Sequence, residues 1–314
     1  MIRSKQIDEI TICVCTFRRP QLIDTLNSLF KLAIPEGFGV SVHVIDNDYS
    51  STAKELTKQA GDKAPFPVTY SHCPAGNISI ARNCALEACE ARYLAFIDDD
   101  EIASRNWLLD MIQAATSQNV DVVLGPVQAL YDGDAPKWMQ KSALHSTQPV
   151  WVDGKIETGY SCNVLIDRNS PAVDGLRFDL NLGQSGGEDT KFFHQVAQRG
   201  GQIGYAPDAL IYEDVPKART SLVWLIKRRI RMGQTHGQLL AEAKPGPMGL
   251  VKGLAIAISK MAYCGGAVAL SFWHSGRRNT ALLRGFLHFG VVLGLIGMRN
   301  MRLYGAGLSG EQQL

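Results

Sequence analysis

An α/β fold built on an open, mostly parallel sheet is what this sequence predicts, from three observations. Short apolar runs alternate with amphipathic stretches through most of the chain. That alternation places helices on both faces of a parallel sheet. Three of the runs end in polar clusters, and open α/β sheets bind ligands at the carboxyl ends of their strands.

The elements follow in order. Ile10 to Phe17 (ITICVCTF) is a β-rich run that ends in Thr16-Phe17-Arg18-Arg19. Pro20 then opens a helical stripe of Leu22, Ile23, Leu26, Leu29 and Phe30, a first helical turn being where proline is tolerated. Val40 to Ile45 is a second strand, ending in Asp46-Asn47-Asp48, and Val68 to Ser71 a short third. Ile80, Ala81, Cys84, Ala85 and Ala88 recur at helical spacing, and Tyr93 to Ile97 is a fourth strand running into Asp98-Asp99-Asp100-Glu101. The three polar clusters are expected to share one crevice. A helix over 104–117, with Trp107, Leu108, Met111 and Ile112 inward, precedes a strand at Val120 to Leu124. Residues 128–160, rich in Asp, Pro, Trp and Gly, read as a long irregular excursion of the kind that forms lids and binding walls. NVLID is strand-like, and Phe192, Phe193 and Val196 mark a helix closed by Gly200-Gly201.

Composition bounds the function. The chain has 314 residues, 46% hydrophobic and 20% charged, with net charge +2. That is globular, and no global field selects nucleic acid as a partner. The seven cysteines are scattered without a CxxC pair, which predicts reduced, buried thiols in a cytosolic compartment. The basic first residues lead into no long apolar core or small-residue cleavage site, so nothing there argues for secretion. Near residue 245, at KPGP, the composition changes. Residues 253–273 and 281–298 are apolar and rich in glycine, broken by Lys260, Arg284 and His288, with Arg277, Arg278, Arg299 and Arg302 beside them. Such segments predict helices attached to an anionic membrane surface, peripheral or shallowly inserted; true spans and a helical pair packed against its own protein are the other two readings. The expected organisation is a catalytic domain over 1–245 and a membrane-associating helical region over 246–314.

Four adjacent carboxylates repel one another, and at a buried strand end they call for a compensating cation. Mg²⁺ or Mn²⁺ takes hard oxygen ligands and completes its shell with substrate phosphates. Alternate residues of an extended segment point the same way, so Asp98 and Asp100 suit one ion, leaving Asp99 and Glu101 free of it.

Read together, TICVCTFRRP, VIDND, GNISIARNCALEACEARYLAFIDDDE, GGEDTKFF and WLIKRRIRMGQT resemble the inverting glycosyltransferases of family 2, most of all those of succinoglycan and other bacterial exopolysaccharide biosynthesis. The resemblance covers residues 8–237 in the family's order. It implies a GT-A fold and transfer of a hexose, glucose first, from a UDP-sugar to a lipid-linked oligosaccharide at the cytoplasmic membrane surface. It further implies that Thr16 and Arg18 meet the nucleotide, that Asp46 bonds uracil with Asp48 close by, and that Arg82 approaches the diphosphate. Asp98 would face ribose or metal, Asp99 would lie beside the nucleotide sugar, and Asp100 would be the principal metal ligand. Asp189, with Glu188 beside it, would be the base that takes the acceptor's proton. Arg228, Arg229 and Arg231 resemble a mobile basic segment that grips the diphosphate. One departure stands out: where many relatives carry a histidine that can serve as an extra metal ligand, APDALIYEDVP presents Glu213 and Asp214, so Glu213 is a candidate further ligand.

Two other functions fit parts of the pattern. A nucleotidyltransferase also uses carboxylate-held Mg²⁺, although TFRRP stands where a glycine-rich phosphate loop would be. A non-catalytic, membrane-bound scaffold for nucleotide or glycan is the third.

Overall fold

The computed structural model describes residues 8–298; Arg299, Arg302 and the basic first residues lie outside them. The chain begins β1 (Asp8–Thr16), α1 (Leu22–Leu29), β2 (Phe38–Asp46), α2 (Lys54–Gly61), β3 (Val68–His72), α3 (Ile78–Ala88), β4 (Tyr93–Asp98). It continues through β5 (Glu101–Ala103), α4 (Trp107–Gln118), β6 (Val122–Leu124), β7 (Val127–Leu130) and α5 (Lys137–Lys141). A small hairpin of β8 (Trp151–Val152) and β9 (Lys155–Ile156) is followed by β10 (Asn163–Asp167), α6 (Glu188–Gln198), β11 (Ile203–Tyr205) and β12 (Ile211–Asp214). Three long helices close it: α7 (Leu222–Ala243), α8 (Pro247–Leu270) and α9 (Ser275–Leu295).

Two compact units result. The first takes the residues up to Leu130, Ser146–Gln184 and Glu188–Asp214; the second takes Tyr131–His145, Ser185–Gly187 and the chain from Val215.

In the first unit a seven-stranded sheet runs in the order β11-β6-β10-β4-β1-β2-β3. It is parallel except at β10, which is antiparallel to both β4 and β6. Alternation along the strands sorts the core into two layers. Ile10, Ile12, Val14, Val42, Val44, Ala95 and Ile97 face Leu22, Leu26 and Leu29 of α1 and Trp107, Leu108 and Met111 of α4. Cys13, Leu94, Phe96 and Val164 face Ala81 and Ala85 of α3 and Phe192 and Phe193 of α6. A second sheet, β5-β12-β7, pairs Glu101 with Glu213 in register. Buried Asn163 ties three segments together: its carbonyl accepts from Trp107 Nε1 (2.8 Å), and its amide donates to the Pro126 and Ala209 carbonyls (2.9 Å each).

Two expectations change here. The stretch 128–160 is not one irregular excursion, because it contributes β7, α5 and the β8–β9 hairpin. Nor are all seven thiols reduced: Cys73, just past β3, is disulfide-bonded to Cys84 of α3. A turn of a few residues separates β3 from α3, so the helix folds back and sets its second turn against the strand end. Cys13, Cys15, Cys89 and Cys264 are free and buried, and Cys162 is free and half-buried.

In the second unit, α7 and α9 touch through backbone. A Cβ on Gly233 would land on the Leu287 carbonyl, and one on Gly237 on that of Val291. From the other side, Gly290 and Gly294 abut the carbonyls of Ile230 and Gln234. Glycines four apart on both partners are the device of close helix crossings. This contact is why α7 groups with α8 and α9, whereas a boundary near residue 245 would separate them. His145, Trp224 and Tyr131 form a small cluster in the same unit: His145 stacks on Trp224 at 5.4 Å and its Nδ1 meets the Tyr131 hydroxyl at 2.9 Å.

Candidate active site

Strand register builds the site. Thr16 of β1 lies opposite Asp46 of β2, Asp46 opposite His72 of β3, and Cys15 opposite Asp98 of β4. The polar ends of three parallel strands therefore stop at one level, as the sequence pattern predicts.

Around this rim the carboxylates do different things. Asp46 is fully buried; Oδ1 accepts from the Asp48 amide (3.1 Å), and Oδ2 accepts from the Ala53 amide and the Tyr70 hydroxyl (2.9 Å each). It shapes the loop that carries Asp48. Arg18, in a left-handed conformation (φ 54°), donates from Nε to Asp48 Oδ1 at 2.9 Å. Burial alone would raise the Asp48 carboxyl, but the bonds from Arg18, Tyr49 and Thr52 hold it below its ordinary range. Asp48 Oδ2 is buried with no partner, an acceptor of the kind that a ligand N–H completes. Asp99 turns away from the rim to brace β1, accepting from Thr16 Oγ1 at 2.7 Å and the Phe17 amide at 3.3 Å.

Glu101 is almost wholly buried and caps the acidic turn, Oε2 accepting from the Asp98 amide at 2.8 Å. Asp98 and Asp100 remain. Asp100 Oδ2 lies 3.2 Å from Arg19 Nη1, and Asp98 Oδ1 lies 3.7 Å from Arg82 Nη2. Burial pushes Asp98 up to about 7 against the pull of Arg82, with Asp100, Asp99 and Glu213 adding repulsion. Its side chain is 42% exposed, so water screens part of that shift. Hard oxygen donors that repel one another suit a divalent cation. Among the described residues no group of three or more His, Cys, Asp or Glu side chains is arranged to hold a metal ion. The fit is that of Mg²⁺ or Mn²⁺ on one or two carboxylates, completed by substrate phosphate and water.

Arg82 joins this end of the site to the other. It is 7% exposed, reaches the site from α3, and lies over the Phe178 ring at 5.7 Å. Its Nη1 donates to Glu188 Oε1, so one guanidinium spans Asp98 and the first residue of α6. Burial opposes its charge, yet Glu188, Asp98 and Asp189 together raise its pKa. Glu188 is raised in turn by burial and by Asp189, against the pull of Arg82. Asp189 is half-buried; its Oδ1 accepts from the Thr190 amide at 2.6 Å. Carboxylates in a first helical turn are also favoured by the helix dipole.

Of the sequence-predicted residues, Thr16, Arg18, Asp46, Asp48, Arg82, Asp98, Asp99, Asp100, Glu188 and Asp189 all lie in the first unit along this rim and its link to α6. Arg228 and Arg231 belong to α7 in the second unit, Arg228 over the Trp224 ring at 5.5 Å and Arg231 donating to the Ser185 carbonyl at 3.1 Å. Three contributors escaped sequence reasoning. Asn47 accepts from the Asn77 amide (2.6 Å) and donates to the Cys73 carbonyl (2.8 Å), Tyr70 holds Asp46, and Asn77 caps α3. Two of them left signals, Asn47 within the polar cluster that ends the second strand and Asn77 as an N-cap residue type shortly before the stripe that starts at Ile80.

This fold, with acidic residues at the ends of parallel strands, is that of the GT-A glycosyltransferases. Among solved structures, the Pyrobaculum calidifontis mannosyltransferase PcManGT, in complex with GDP-Man and Mn²⁺, superposes with a TM-score of 0.59 at 18% identity over 91% of this chain and 86% of its own. S. aureus TarS 1–349 in complex with UDP gives 0.51 at 15% identity over 92% and 90%. The glycosyl transferase family 2 model matches residues 11–171, and the chain belongs to that family. It is 46% identical to the succinoglycan biosynthesis protein ExoM of Rhizobium meliloti over 297 residues, 95% of this chain and 96% of that protein. The protein is a glycosyltransferase.

Proposed function

We propose that this enzyme moves a hexose, with glucose as the first candidate, from a UDP-sugar to a hydroxyl of a lipid-linked oligosaccharide in the assembly of a succinoglycan-type exopolysaccharide, with inversion at the anomeric carbon. The observation that carries the reading is the single buried guanidinium of Arg82 spanning Asp98 and Glu188. This supports a site in which Asp98, a candidate metal ligand, and Glu188, the neighbour of the candidate base Asp189, are reached by one side chain. Likeness to ExoM over nearly the whole length of both proteins supports the pathway.

Asp189 takes the proton of the acceptor hydroxyl as its oxygen forms the bond to the anomeric carbon. The bond from that carbon to the diphosphate oxygen breaks, and its electron pair leaves with UDP. Asp98 and Asp100 would hold Mg²⁺ or Mn²⁺, which when bound would neutralise charge on the departing diphosphate. Thr16, Arg18 and Asp48 line the nucleotide side, with the Asp48 oxygen receiving a donor of the base and Asp46 fixing its loop. Asp99 holds the β1 end for the nucleotide sugar, and Arg228 and Arg231 serve the diphosphate. Attachment to the cytoplasmic face of the inner membrane is through α8, long and apolar enough to cross a bilayer but carrying Lys252 and Lys260; the reading is a helix lying on or shallowly in the surface.

The test is a donor screen. Purified full-length protein is given a panel of UDP-sugars, Mn²⁺ or Mg²⁺ and membrane-extracted lipid-linked acceptors, with UDP release and product mass followed. One UDP-hexose is expected to give an acceptor heavier by a hexose. Release of pyrophosphate with a nucleotidylated product, or no metal-dependent turnover with any donor, would overturn the reading.

A further inference from the structure

The second unit holds a groove of about 300 Å³ enclosed by α7, α8 and α9. Its lining is largely apolar, with Val291 and Leu295 buried and Ile256 at its open side. Its rim is cationic: Lys244 at the end of α7, and Lys252 and Lys260 on α8. Among the described residues no carboxylate lines it. Lys252 and Lys260 lie eight residues apart on the groove face of α8, about 12 Å along the helix axis. Among the described residues, no ion pair uses Lys244, Lys252 or Lys260. On α9 the neighbouring His288 ring is disfavoured as a cation by burial and then by Lys260, His236 and Arg284.

An apolar slot under uncompensated positive charge is complementary to one class of molecule, a long apolar chain ending in an anionic head. A free phosphate or nucleotide would leave the apolar lining unused, and a neutral lipid would leave the lysines unanswered. Several cations with no carboxylate among them favour a head carrying more than one negative charge. The surroundings give such a molecule access. On the opposite face of α8, Val251 and Ile258 are 65% and 54% exposed, and Trp273, just past its end, is 86% exposed. An apolar outer face ending in an aromatic residue is the pattern of a helix bedded at a bilayer interface, where lipids can enter the groove sideways.

We propose that this groove seats the lipid diphosphate of the acceptor, its chain along Ile256, Val291 and Leu295 and its phosphates between Lys252 and Lys260. The inference rests on the lipid-linked-acceptor reading above and names where that lipid is held.

The experiment uses full-length protein in phosphatidylcholine nanodiscs, with farnesyl diphosphate as the probe and farnesol and inorganic pyrophosphate as its two halves. Wild type is expected to bind the probe at least about tenfold more tightly than either half. The double variant Lys252→Gln/Lys260→Gln should lose about tenfold or more, as removal of two charges near a phosphate implies, while keeping its affinity for UDP with Mn²⁺. Equal binding of either half, undiminished binding by the variant, or displacement of the probe by an equal amount of phosphatidylglycerol would overturn the assignment. The two readings separate cleanly. Undiminished transfer to a lipid-linked acceptor by the double variant sinks the groove and leaves the acceptor reading standing. Lysine-dependent probe binding by an enzyme that glycosylates only free sugars does the reverse.

Discussion

The two units of this protein are held together in opposite ways. The first is a side-chain structure: large residues such as Trp107, Phe178, Phe192 and Phe193 are fully buried, and its polar groups are pinned by paired contacts such as Arg82 with Glu188. The second brings α7 and α9 together at glycines that meet backbone, with only a few apolar side chains such as Leu225 and Leu283 beside them, and leaves Met248, Leu270 and Trp273 almost entirely exposed. A core built from side chains fixes the positions of charged groups to fractions of an ångström, which chemistry needs. A core built on glycine contacts leaves apolar side chains outside it, which supports the membrane-surface attachment proposed above.

The contrast can be broken or sharpened by four measurements. The largest effect is expected in the first unit, from a change that leaves the fold alone. Asp189→Asn should lower the rate of sugar transfer on the order of 10³-fold, as removal of a general base does, while calorimetry still records UDP binding with Mn²⁺. Turnover near the wild-type rate would remove Asp189 as the base. Next is Arg82→Met, which strands the buried Glu188 carboxylate; we expect a loss of about 3 kcal/mol in denaturant unfolding. Glu188→Gln in the same chain should recover part of it, and no recovery would mean that the pair is not what Arg82 contributes.

Gly290→Leu probes the second unit. With the Ile230 carbonyl where the new Cβ must go, the helix pair should be destabilised by about 2–3 kcal/mol, the upper range for overpacking, with UDP binding retained. Loss of both together would show that the units do not differ as described. The smallest effect concerns acid. His145 accepts from Tyr131 at Nδ1 and faces the Arg219 carbonyl with Nε2 at 3.1 Å, which satisfies a neutral ring. Burial, with Arg228 and Arg229 adding to it against the Arg219 carbonyl, brings its pKa down to about 4. As pH falls from about 6.5, where an unfolded histidine protonates, the unfolded chain takes a proton that the native ring refuses. Stability should therefore drop towards pH 4, by about 1 kcal/mol once solvent screening is allowed for, and His145→Gln should flatten the melting temperature over that range. An unchanged slope would assign the acid sensitivity to other groups.

Which parts were legible in the sequence follows from how each is built. Apolar runs that stop at polar clusters announced the rim, because a strand end and its ligand residues are contiguous in the chain. The family's motifs named Arg82 and Glu188 separately, but their pairing across 106 residues appears only in the fold. Strands of three or four residues such as β5, β7 and β12 are too short to show a period, so the second sheet, assembled from three distant parts of the chain, stayed hidden. The thiols of Cys73 and Cys84 gave no spacing signal, since a reversal of the chain sets them together. In the sequence the glycines of α9 are only part of an apolar, glycine-rich segment; Gly290 and Gly294 are contact surface, and only a partner helix with matching glycines reveals it.

Asn163 has a consequence for how this sequence can change over time. Its side chain answers an indole and two carbonyls from three separate segments. A single replacement there would orphan all three at once, whereas an apolar residue at 107 would remove one of the demands beforehand. Lineages that lose the asparagine are therefore expected to have lost the tryptophan first, making positions 107 and 163 a pair that drifts in a fixed order.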